Sequence, residues 1–390
     1  MRNQLQVSQS LTKWIIEQRR HLHQYPELSH QEKITREYIK QCLNDLNYET
    51  TSYTGKDVIA ELHGATNQGP ILAIRADMDA LEITEDTNLP FSSKHPGFMH
   101  ACGHDGHMAI VLGVAKLLSE NREQLFGTVR FIFQHAEETV PGGAEQIVEA
   151  GGLDDVSAIL GCHLWEPLEK GKVGFREGPL MAGADRFEVN IQGKGGHGSM
   201  PHLTIDPVLV STHAIQQLYS IVSRQINPHQ PAVLSIGELK MGTSYNVIPD
   251  KAFFTGTVRY FDPDIQDFFK ETIKTILDGV CKSFQASYEW NYQVGEPPLL
   301  NEQHLTAFVK KQATLFLPEN QIVEAEQSLG GEDFAHYTNK ANACYFFIGI
   351  GEKGNTYGHH HPKFDIDETM LPIGTKILAQ SAINYLSNQK

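Results

Sequence analysis

The chain has 390 residues, of which 40% are hydrophobic and 20% charged, a composition typical of a globular protein large enough for two domains. A formal net charge of −15 argues against nucleic acid as a partner, because nucleic-acid binding requires basic surfaces. The polar N-terminus and the absence of any apolar run near about 18 residues lead us to expect neither a signal peptide nor a membrane span. Five scattered cysteines predict no disulfide framework, and we expect a cytoplasmic protein.

Predicted helices and strands alternate through the first half of the chain. A helical pattern with a break at Pro26 opens it, and buried strands alternate with amphipathic helices from there on. The pattern predicts an α/β fold in which helices sandwich a mostly parallel sheet. The predicted segments are helical 11–47, strands 58–64 and 69–80, helix 107–121, strand 127–138, helix 142–153 and strand 156–165.

A different pattern begins near residue 184, where strands alternate between apolar and polar residues. The order strand, helix, strand, strand, helix, strand predicts an inserted α+β domain with four antiparallel strands and two helices. The α/β character returns after residue 296. We therefore predict a discontinuous domain, 1–183 and 297–390, interrupted by a second domain, 184–296.

Side chains that can bind metals are concentrated where the predicted strands end. The segment MHACGHDGH contains Cys102 and His104, and further candidates are His163 and the run His359–His361. Alternate residues of an extended or turning segment point the same way, so Cys102 and His104 are expected to face one site. A lone cysteine is more often a small buried hydrophobe, but the neighbouring histidines make that interpretation weak for Cys102. A structural zinc site is disfavoured because such sites use four Cys or His ligands in short loops.

The adjacent acids Glu137 and Glu138 follow an apolar strand and precede two glycines. Paired acids in a turn are most often only solvated. Adjacent side chains point in different directions, however, so one carboxylate can bind a metal while the other faces a metal-activated water. This separation of ligand and general base is what hydrolytic metal sites require.

Ten motifs in chain order, from residue 23 to residue 368, carry a resemblance to a known family. They are HQYPELS, RADMDAL, MHACGHDGHMA, QHAEE…GGA, GCHL, GKGGHGSMPH, NVIPD, GTVR, GGEDF and HHPKFDIDE. Together they make the chain resemble the dinuclear metal-dependent amidohydrolases of the metallopeptidase type. That group includes aminoacylases, hippurate hydrolases, auxin-conjugate amidohydrolases and N-acetyldiaminopimelate deacetylases.

The resemblance implies a set of site residues, matched motif by motif. Glu137 matches the general base, and Asp79, rather than Asp77, matches an acid that orients a histidine ligand. In the run His359–His361, His360 matches the family's His-x-Pro pattern, although its neighbours leave the register open. The implied metal ligands are Cys102, His104, Glu138, His163 and His360.

In this family the inserted domain usually forms a dimer and closes over the active site. The resemblance therefore implies a homodimer or higher homo-oligomer, in which His197 stabilises the oxyanion from its own or the partner subunit. Asn246 and Arg259 match positions around the substrate, although an arginine on an alternating strand can also simply pair with a surface acid.

The function that we expect is metal-assisted hydrolysis of an N-acyl amino acid by a water that two divalent ions activate and Glu137 deprotonates. Thiolate and imidazole ligands favour zinc, and an open carboxylate-bearing site also tolerates manganese, cobalt or nickel, so manganese or zinc is our expectation. An N-acetyldiaminopimelate deacetylase and a dipeptidase or carboxypeptidase are alternatives with the same chemistry. A metal-binding regulatory protein without turnover is disfavoured by Glu137, which such a protein does not need.

Overall fold

A computed structural model describes residues 4–65, 69–352, 354 and 357–387. The chain divides into two compact units. The first comprises Met1–Gly178, Leu300–Glu326 and Asp333–Lys390, and the second comprises Pro179–Leu299 and Gln327–Glu332. These limits lie a few residues outside the predicted insertion 184–296, and the second unit also takes in a short later segment that the sequence pattern does not predict.

Helices and strands alternate in the first unit, and both are found in the second. The α-helices are α1 (Gln9–Gln24), α2 (Lys33–Asp45), α3 (His104–Ser119), α4 (Gly143–Glu149), α5 (Pro207–Arg224), α6 (Asp264–Ser283), α7 (Gln303–Ala313), α8 (Ala335–Thr338) and α9 (Leu371–Ser387). The strands are β1 (Thr50–Thr51), β2 (Val58–His63), β3 (Ile71–Asp77), β4 (Thr128–Gln134), β5 (Val156–Glu169), β6 (Val173–Phe175), β7 (Gly178–Met181), β8 (Gly183–Gln192), β9 (Gly196–His197), β10 (Ala232–Met241), β11 (Val247–Ile248), β12 (Lys251–Tyr260), β13 (Ser287–Glu296), β14 (Leu299–Asn301), β15 (Ile322–Glu324) and β16 (Asn342–Gly351).

The first unit is built on a sheet whose order, among the described residues, is β1-β2-β4-β3-β5-β16-β6-β15. The four central strands β4, β3, β5 and β16 are parallel, and β1, β2 and β6 add antiparallel pairings. Strand β4 is buried at every position and α3 at nearly every position, as expected for a sheet covered by helices on both faces. The predicted α/β fold with a mostly parallel sheet is confirmed.

The second unit contains an antiparallel sheet in the order β10-β12-β8-β13. Burial alternates along β8 and β12, and the buried face packs on α5 and α6 in one apolar cluster. Helix α5 begins where the sequence specifies it, because Asp206 caps the amide of Val208 and Pro207 occupies the first turn. The predicted four antiparallel strands and two helices are confirmed.

Parallel strands bring their carboxyl ends to one edge of the sheet, and this geometry positions the site. Asp77 is level with Gln134 in the pairing of β3 with β4, so the segments that follow both strands leave the sheet side by side. Strand β5 runs on to Glu169, so His163 lies within it and not at its end as the sequence pattern predicts. In the part of the chain that the structure describes, no helix has the length and apolarity needed to cross a membrane.

Candidate metal centre

Cys102 and His104 converge through a glycine turn. Gly103 has φ of 95°, a left-handed conformation that favours glycine, and His104 is the first residue of α3. The segment turns here and is not extended, and the turn is the second of the two conformations for which the sequence argument predicts that both side chains face one site. Sγ of Cys102 lies 3.5 Å from Nε2 of His163. Cys102, His104 and His163 each offer one ligand atom, and these three atoms lie within 4.8 Å of one another.

Two histidines have one ring nitrogen fixed by a backbone carbonyl. Nδ1 of His104 donates to the carbonyl oxygen of Asp79 over 2.9 Å, and Nδ1 of His163 donates to that of Leu164 over 2.8 Å. A carbonyl can only accept, so Nδ1 carries the proton in both rings. In a neutral ring Nε2 then has its lone pair available, the arrangement that metal-binding histidines adopt.

The turn after β4 carries Glu137 and Glu138. Ala136 has φ of 50°, which is unfavourable for a residue with a Cβ and is typical of functional sites where the surroundings enforce it. Nε2 of His104 lies 3.9 Å from an oxygen of Glu137 and 3.9 Å from an oxygen of Glu138. Both acids therefore face the same imidazole, as the prediction of a ligand beside a base requires.

Among the three consecutive histidines, His360 approaches Glu138, whereas the ring of His359 packs against His163 with centroids 5.2 Å apart. His360 has φ of 64°, its amide donates to the carbonyl of Ala101 over 2.8 Å, and its Nε2 lies 3.3 Å from Oε1 of Glu138. His359 instead donates from Nε2 to the carbonyl of Leu164 over 2.9 Å. His360, the residue that the His-x-Pro match gives, thus lies beside the predicted ligand Glu138, and its role as a ligand stays a prediction.

The donor set fits divalent cations. Nε2 of His104 and Oε1 of Glu138 are buried, and neither has a hydrogen-bond partner among the described residues. Unpaired buried polar atoms are rare and costly unless an ion or water satisfies them. A second grouping, Cys102, Glu138 and His360, again has ligand atoms within 4.8 Å of one another. Thiolate, imidazole and carboxylate are suitable ligands for zinc and similar metals.

The electrostatics of the cluster favour positive charge. Burial alone would lower the pKa of His104, but the carboxylates of Asp77, Asp79 and Glu138 outweigh it and raise this pKa to about 10. Burial and the carboxylates of Glu138 and Glu137 raise the pKa of the Cys102 thiol well above its usual value. A bound dication would take the place of the imidazolium proton and stabilise the thiolate.

Asp79 and Asp77 have different surroundings. Oδ2 of Asp79 accepts from Oγ of Ser29 over 2.6 Å and from the amide of Glu138 over 3.0 Å, and its backbone carbonyl holds His104. Asp77 accepts from Arg75 over 2.7 Å and from Nδ1 of His107 over 2.7 Å. Asp79 thus contacts two predicted ligands directly, which agrees with the position that the resemblance implies for it.

Some residues to which the sequence assigned no role in the site hold its surroundings in place. His107 is held at both ring nitrogens, because Nδ1 contacts Asp77 and Nε2 accepts the amide of Leu164 over 2.9 Å. Arg75 links Asp77 to Asp333, with Nη2 donating to Oδ1 of Asp333 over 2.7 Å. The spacing of Arg75 and Asp77, two residues apart on a strand, was a usable signal, since such side chains share a face.

The remaining predicted site residues lie in the second unit. His197 in β9 pairs with Val247 in β11, and the amide of Gly198 donates to the carbonyl of Asn246 over 2.9 Å, so His197 and Asn246 lie on neighbouring segments. The His197 side chain is exposed. Arg259 lies towards the other end of β12, donates to the carbonyl of Val258 over 3.0 Å, and has no ion pair among the described residues. Their roles stay predictions.

Comparison with known proteins identifies the family. The model of peptidase family M20/M25/M40 matches residues 73–384. The chain is 44% identical to an N-acetylcysteine deacetylase of Bacillus subtilis over 381 residues, covering 96% of this chain and 98% of that protein. It is 39% identical to thermostable carboxypeptidase 1 of Saccharolobus solfataricus, covering 95% of each.

A solved structure supports the same assignment. A Bacillus subtilis protein described as a dinuclear metal binding peptidase from the M20 family superposes with a TM-score of 0.85 at 39% identity, covering 97% of this chain and 99% of that one. The resemblance drawn from the ten motifs is confirmed, and so is the prediction of a hydrolase. The chain belongs to the M20/M25/M40 family of peptidases and amidohydrolases.

Proposed function

We propose that this protein hydrolyses the amide bond of N-acyl amino acids in a reaction that requires two divalent metal ions. One observation carries the proposal: buried Nε2 of His104 and Oε1 of Glu138 have no hydrogen-bond partner among the described residues, and they lie beside Glu137. The identity to an N-acetylcysteine deacetylase supports an N-acyl amino acid as the substrate class.

Five side chains would hold the ions, namely Cys102, His104, Glu138, His163 and His360. When bound, the ions would supply Lewis-acid polarisation of the amide carbonyl and acidification of water. Manganese or zinc suits this mixed donor set best, and cobalt or nickel would also be accepted. Asp79 would orient His104 and Glu138 through the contacts already described.

Glu137 is the residue that we assign to proton transfer. Its carboxylate faces the imidazole of His104 at 3.9 Å, next to the ligand Glu138. It would accept a proton from the attacking water and deliver that proton to the departing amine, so that the peptide nitrogen leaves as a neutral amine. We assign oxyanion stabilisation to His197 and substrate binding to Asn246 and Arg259, within a homodimer formed by the second unit.

Peptide cleavage is the second candidate, because the chain is 39% identical to a carboxypeptidase over 95% of its length. Peptides and N-acyl amino acids present the same amide carbonyl to the same donors. The two candidates differ in whether the acyl side carries a free amine, so hydrolysis rates for N-acyl amino acids and for dipeptides distinguish them.

The test is a panel of N-acetyl, N-benzoyl and N-acetyldiaminopimelate compounds and dipeptides, assayed on protein whose metal content has been measured. We expect release of free amine from N-acyl amino acids, and loss of that activity on chelation. Glu137→Gln should lower kcat by about 10²–10⁴-fold with unchanged metal content. Hydrolysis of no panel member at full metal occupancy, or near-normal kcat in the Glu137→Gln variant, would contradict the proposal.

A further inference from the structure

We propose that the loop 27–32, here called the brace loop, positions the carboxylates of Glu137 and Glu138, with Glu32 and Ser29 as its positioning residues. The loop belongs to the HQYPELS motif and its continuation, to which the proposed function assigns no role. This inference rests on the proposed function, since it concerns how the base and a ligand are held.

Glu32 anchors the strained turn that carries both acids. Its side chain is buried, and its Oε1 accepts the amide of Ala136 over 2.8 Å. Ala136, at φ of 50°, directly precedes Glu137. A left-handed residue with a Cβ costs roughly 1–2 kcal/mol, so its conformation persists only where a partner holds it. The Glu32 carboxylate holds the amide of Ala136, and the amide of Gly143 holds its carbonyl over 2.9 Å.

The placement of an acid at position 32 is not explained by stability alone. Burial raises the pKa of Glu32 to about 7, which means that the fold disfavours its charged form. A carboxylate that is buried at such a cost, and aimed at the backbone next to a proposed base, fits a functional requirement better than a packing one.

Ser29 makes an independent contact with the same region. Its hydroxyl donates to Oδ2 of Asp79 over 2.6 Å, and this oxygen also accepts the amide of Glu138 over 3.0 Å. The backbone of the loop adds to this, because the carbonyl of Glu27 accepts the amide of Ala80 over 2.8 Å. The brace loop thus contacts both the segment after β3 and the turn after β4.

Loss of the Glu32 anchor should therefore move the carboxylates and leave most other parts of the site in place. Without an acceptor for its amide, Ala136 can relax towards an ordinary backbone conformation, and Glu137 and Glu138 move with it. A displacement of about 1 Å can cost up to about 100-fold in rate. We expect Glu32→Ala to lower kcat by roughly 10–100-fold, and KM to change little because Glu32 contacts no group assigned to substrate binding.

Glu27 provides a matched control in the same loop. Its Oε2 accepts the amide of Thr35 over 2.8 Å and its hydroxyl over 3.0 Å, at the start of α2. Glu27→Ala removes a partly buried carboxylate of the brace loop whose side-chain hydrogen bonds, among the described residues, reach neither Glu137 nor Glu138. It should reduce stability by an amount typical of a lost cap, about 1 kcal/mol, and change kcat far less than Glu32→Ala does.

The experiment compares wild type, Glu32→Ala, Glu32→Gln, Ser29→Ala and Glu27→Ala, each loaded with Co²⁺. Metal content, kcat, KM and the visible absorption spectrum of the cobalt protein are measured. We expect an altered spectrum and a lower kcat in Glu32→Ala, and a smaller change of the same kind in Ser29→Ala. Glu32→Gln keeps an acceptor oxygen for Ala136 and should restore most of both properties.

The readouts separate failure of this inference from failure of the proposed function. If wild type hydrolyses no panel substrate, the proposed function fails, and the cobalt spectra alone decide the inference. Spectra and kcat of Glu32→Ala that match those of Glu27→Ala overturn it, as does a Glu32→Gln variant no better than Glu32→Ala. If Glu32→Ala does not fold, the cobalt spectra of Ser29→Ala and Glu32→Gln decide the inference. An unchanged spectrum in Ser29→Ala overturns it. An altered spectrum in Ser29→Ala together with a preserved spectrum in Glu32→Gln supports it.

Discussion

Buried carboxylates in the two units differ in how they are satisfied. In the second unit, Asp185 accepts from Tyr292 over 2.7 Å, from the amide of Gly295 over 3.0 Å, and from Gln266 over 3.0 Å. In the first unit, Oε1 of Glu138 has no hydrogen-bond partner among the described residues, although Nε2 of His360 lies 3.3 Å away.

This difference separates structural acids from acids that serve a ligand. Fixed protein donors satisfy Asp185, so nothing further needs to bind there, and the burial of its charge is compensated within the fold. Burial, and then the Asp185 carboxylate, raise the pKa of Tyr260 and Tyr292, so both phenols remain protonated donors. Glu138 lacks such compensation, and a cation is the partner that its neighbours can share.

The largest expected effect concerns Glu138, whose Oε1 has no hydrogen-bond partner among the described residues. Glu138→Ala should lose bound metal and lower turnover by about 100-fold or more, because a ligand that supports Lewis-acid catalysis is gone. In metal-free protein, the same change should lower the free energy of unfolding by only about 1 kcal/mol, because it removes the half-exposed ion pair with His360 and the charge attraction to His104 but no buried set of fixed hydrogen bonds. Urea unfolding with and without chelator, alongside metal analysis, measures both.

Wild type supplies the reference, since divalent metal should stabilise it in a concentration-dependent manner and should not stabilise the variant to the same extent. A large loss of stability in metal-free Glu138→Ala would mean that this carboxylate is structural, like Asp185. Full metal retention in the variant would remove Glu138 from the ligand set.

Residue type and order predicted the fold class and the identity of the clustered donors. Apolar strands followed by polar residues placed Asp77, Asp79 and Glu137 at one sheet edge, and the structure has them there. These inferences succeed because strand burial and the geometry of parallel sheets follow from local hydrophobic pattern. The ten motifs point to His360 among three adjacent histidines, a choice that pattern alone could not make and that stays a prediction.

Conformation and distant contacts were not predictable in this way. The left-handed φ of Ala136 has no signature in its residue type, since only glycine and asparagine commonly indicate such a turn. The contacts of Ser29 with Asp79 and of Glu32 with Ala136 join segments 50 and 104 residues apart. Such pairs depend on tertiary packing, so sequence periodicity carries no information about them.

A smaller effect is expected when Asp185, whose oxygens accept hydrogen bonds from the protein, is replaced. Asp185→Ala would leave the buried hydroxyl of Tyr260 and the half-buried hydroxyl of Tyr292 without their carboxylate acceptor, at a cost of about 2–3 kcal/mol. Chemical unfolding of the whole protein measures the loss, which chelation should not change. The matched control is Glu188→Ala on the same strand, whose partner Arg186 is exposed and whose loss should cost less than about 0.5 kcal/mol.

Equal stability of Asp185→Ala and wild type would show that hydrogen-bond satisfaction does not distinguish structural acids in this fold. A loss of stability that appears only when metal is present would instead connect Asp185 to the metal centre.

The smallest effect concerns Glu85, a satisfied acid of the first unit. Burial favours its neutral form, but donors from His23, Thr87 and the amide of Ser93 outweigh burial and lower its pKa to about 2. A depressed pKa contributes stability above the unfolded-state value, near 4.3, and this contribution is lost as the pH falls towards the folded-state value. Glu85→Gln should therefore cost about 1–2 kcal/mol at pH 6, and the difference from wild type should shrink at pH 3.

Glu17→Gln is the control, because Glu17 lies on the exposed face of α1 with Lys13 3.8 Å away. Its stability should follow wild type at both pH values, since exposed ion pairs contribute little. A Glu85→Gln difference that grows on acidification would reverse the expected sign, and the hydrogen bonds to His23, Thr87 and Ser93 would then not favour the ionised carboxylate. A Glu85→Gln difference that shrinks on acidification would extend to both units the rule drawn from Asp185. Under that rule, an acid whose oxygens accept hydrogen bonds from the protein stabilises the fold, and an acid with an unpaired buried oxygen is a candidate cation ligand.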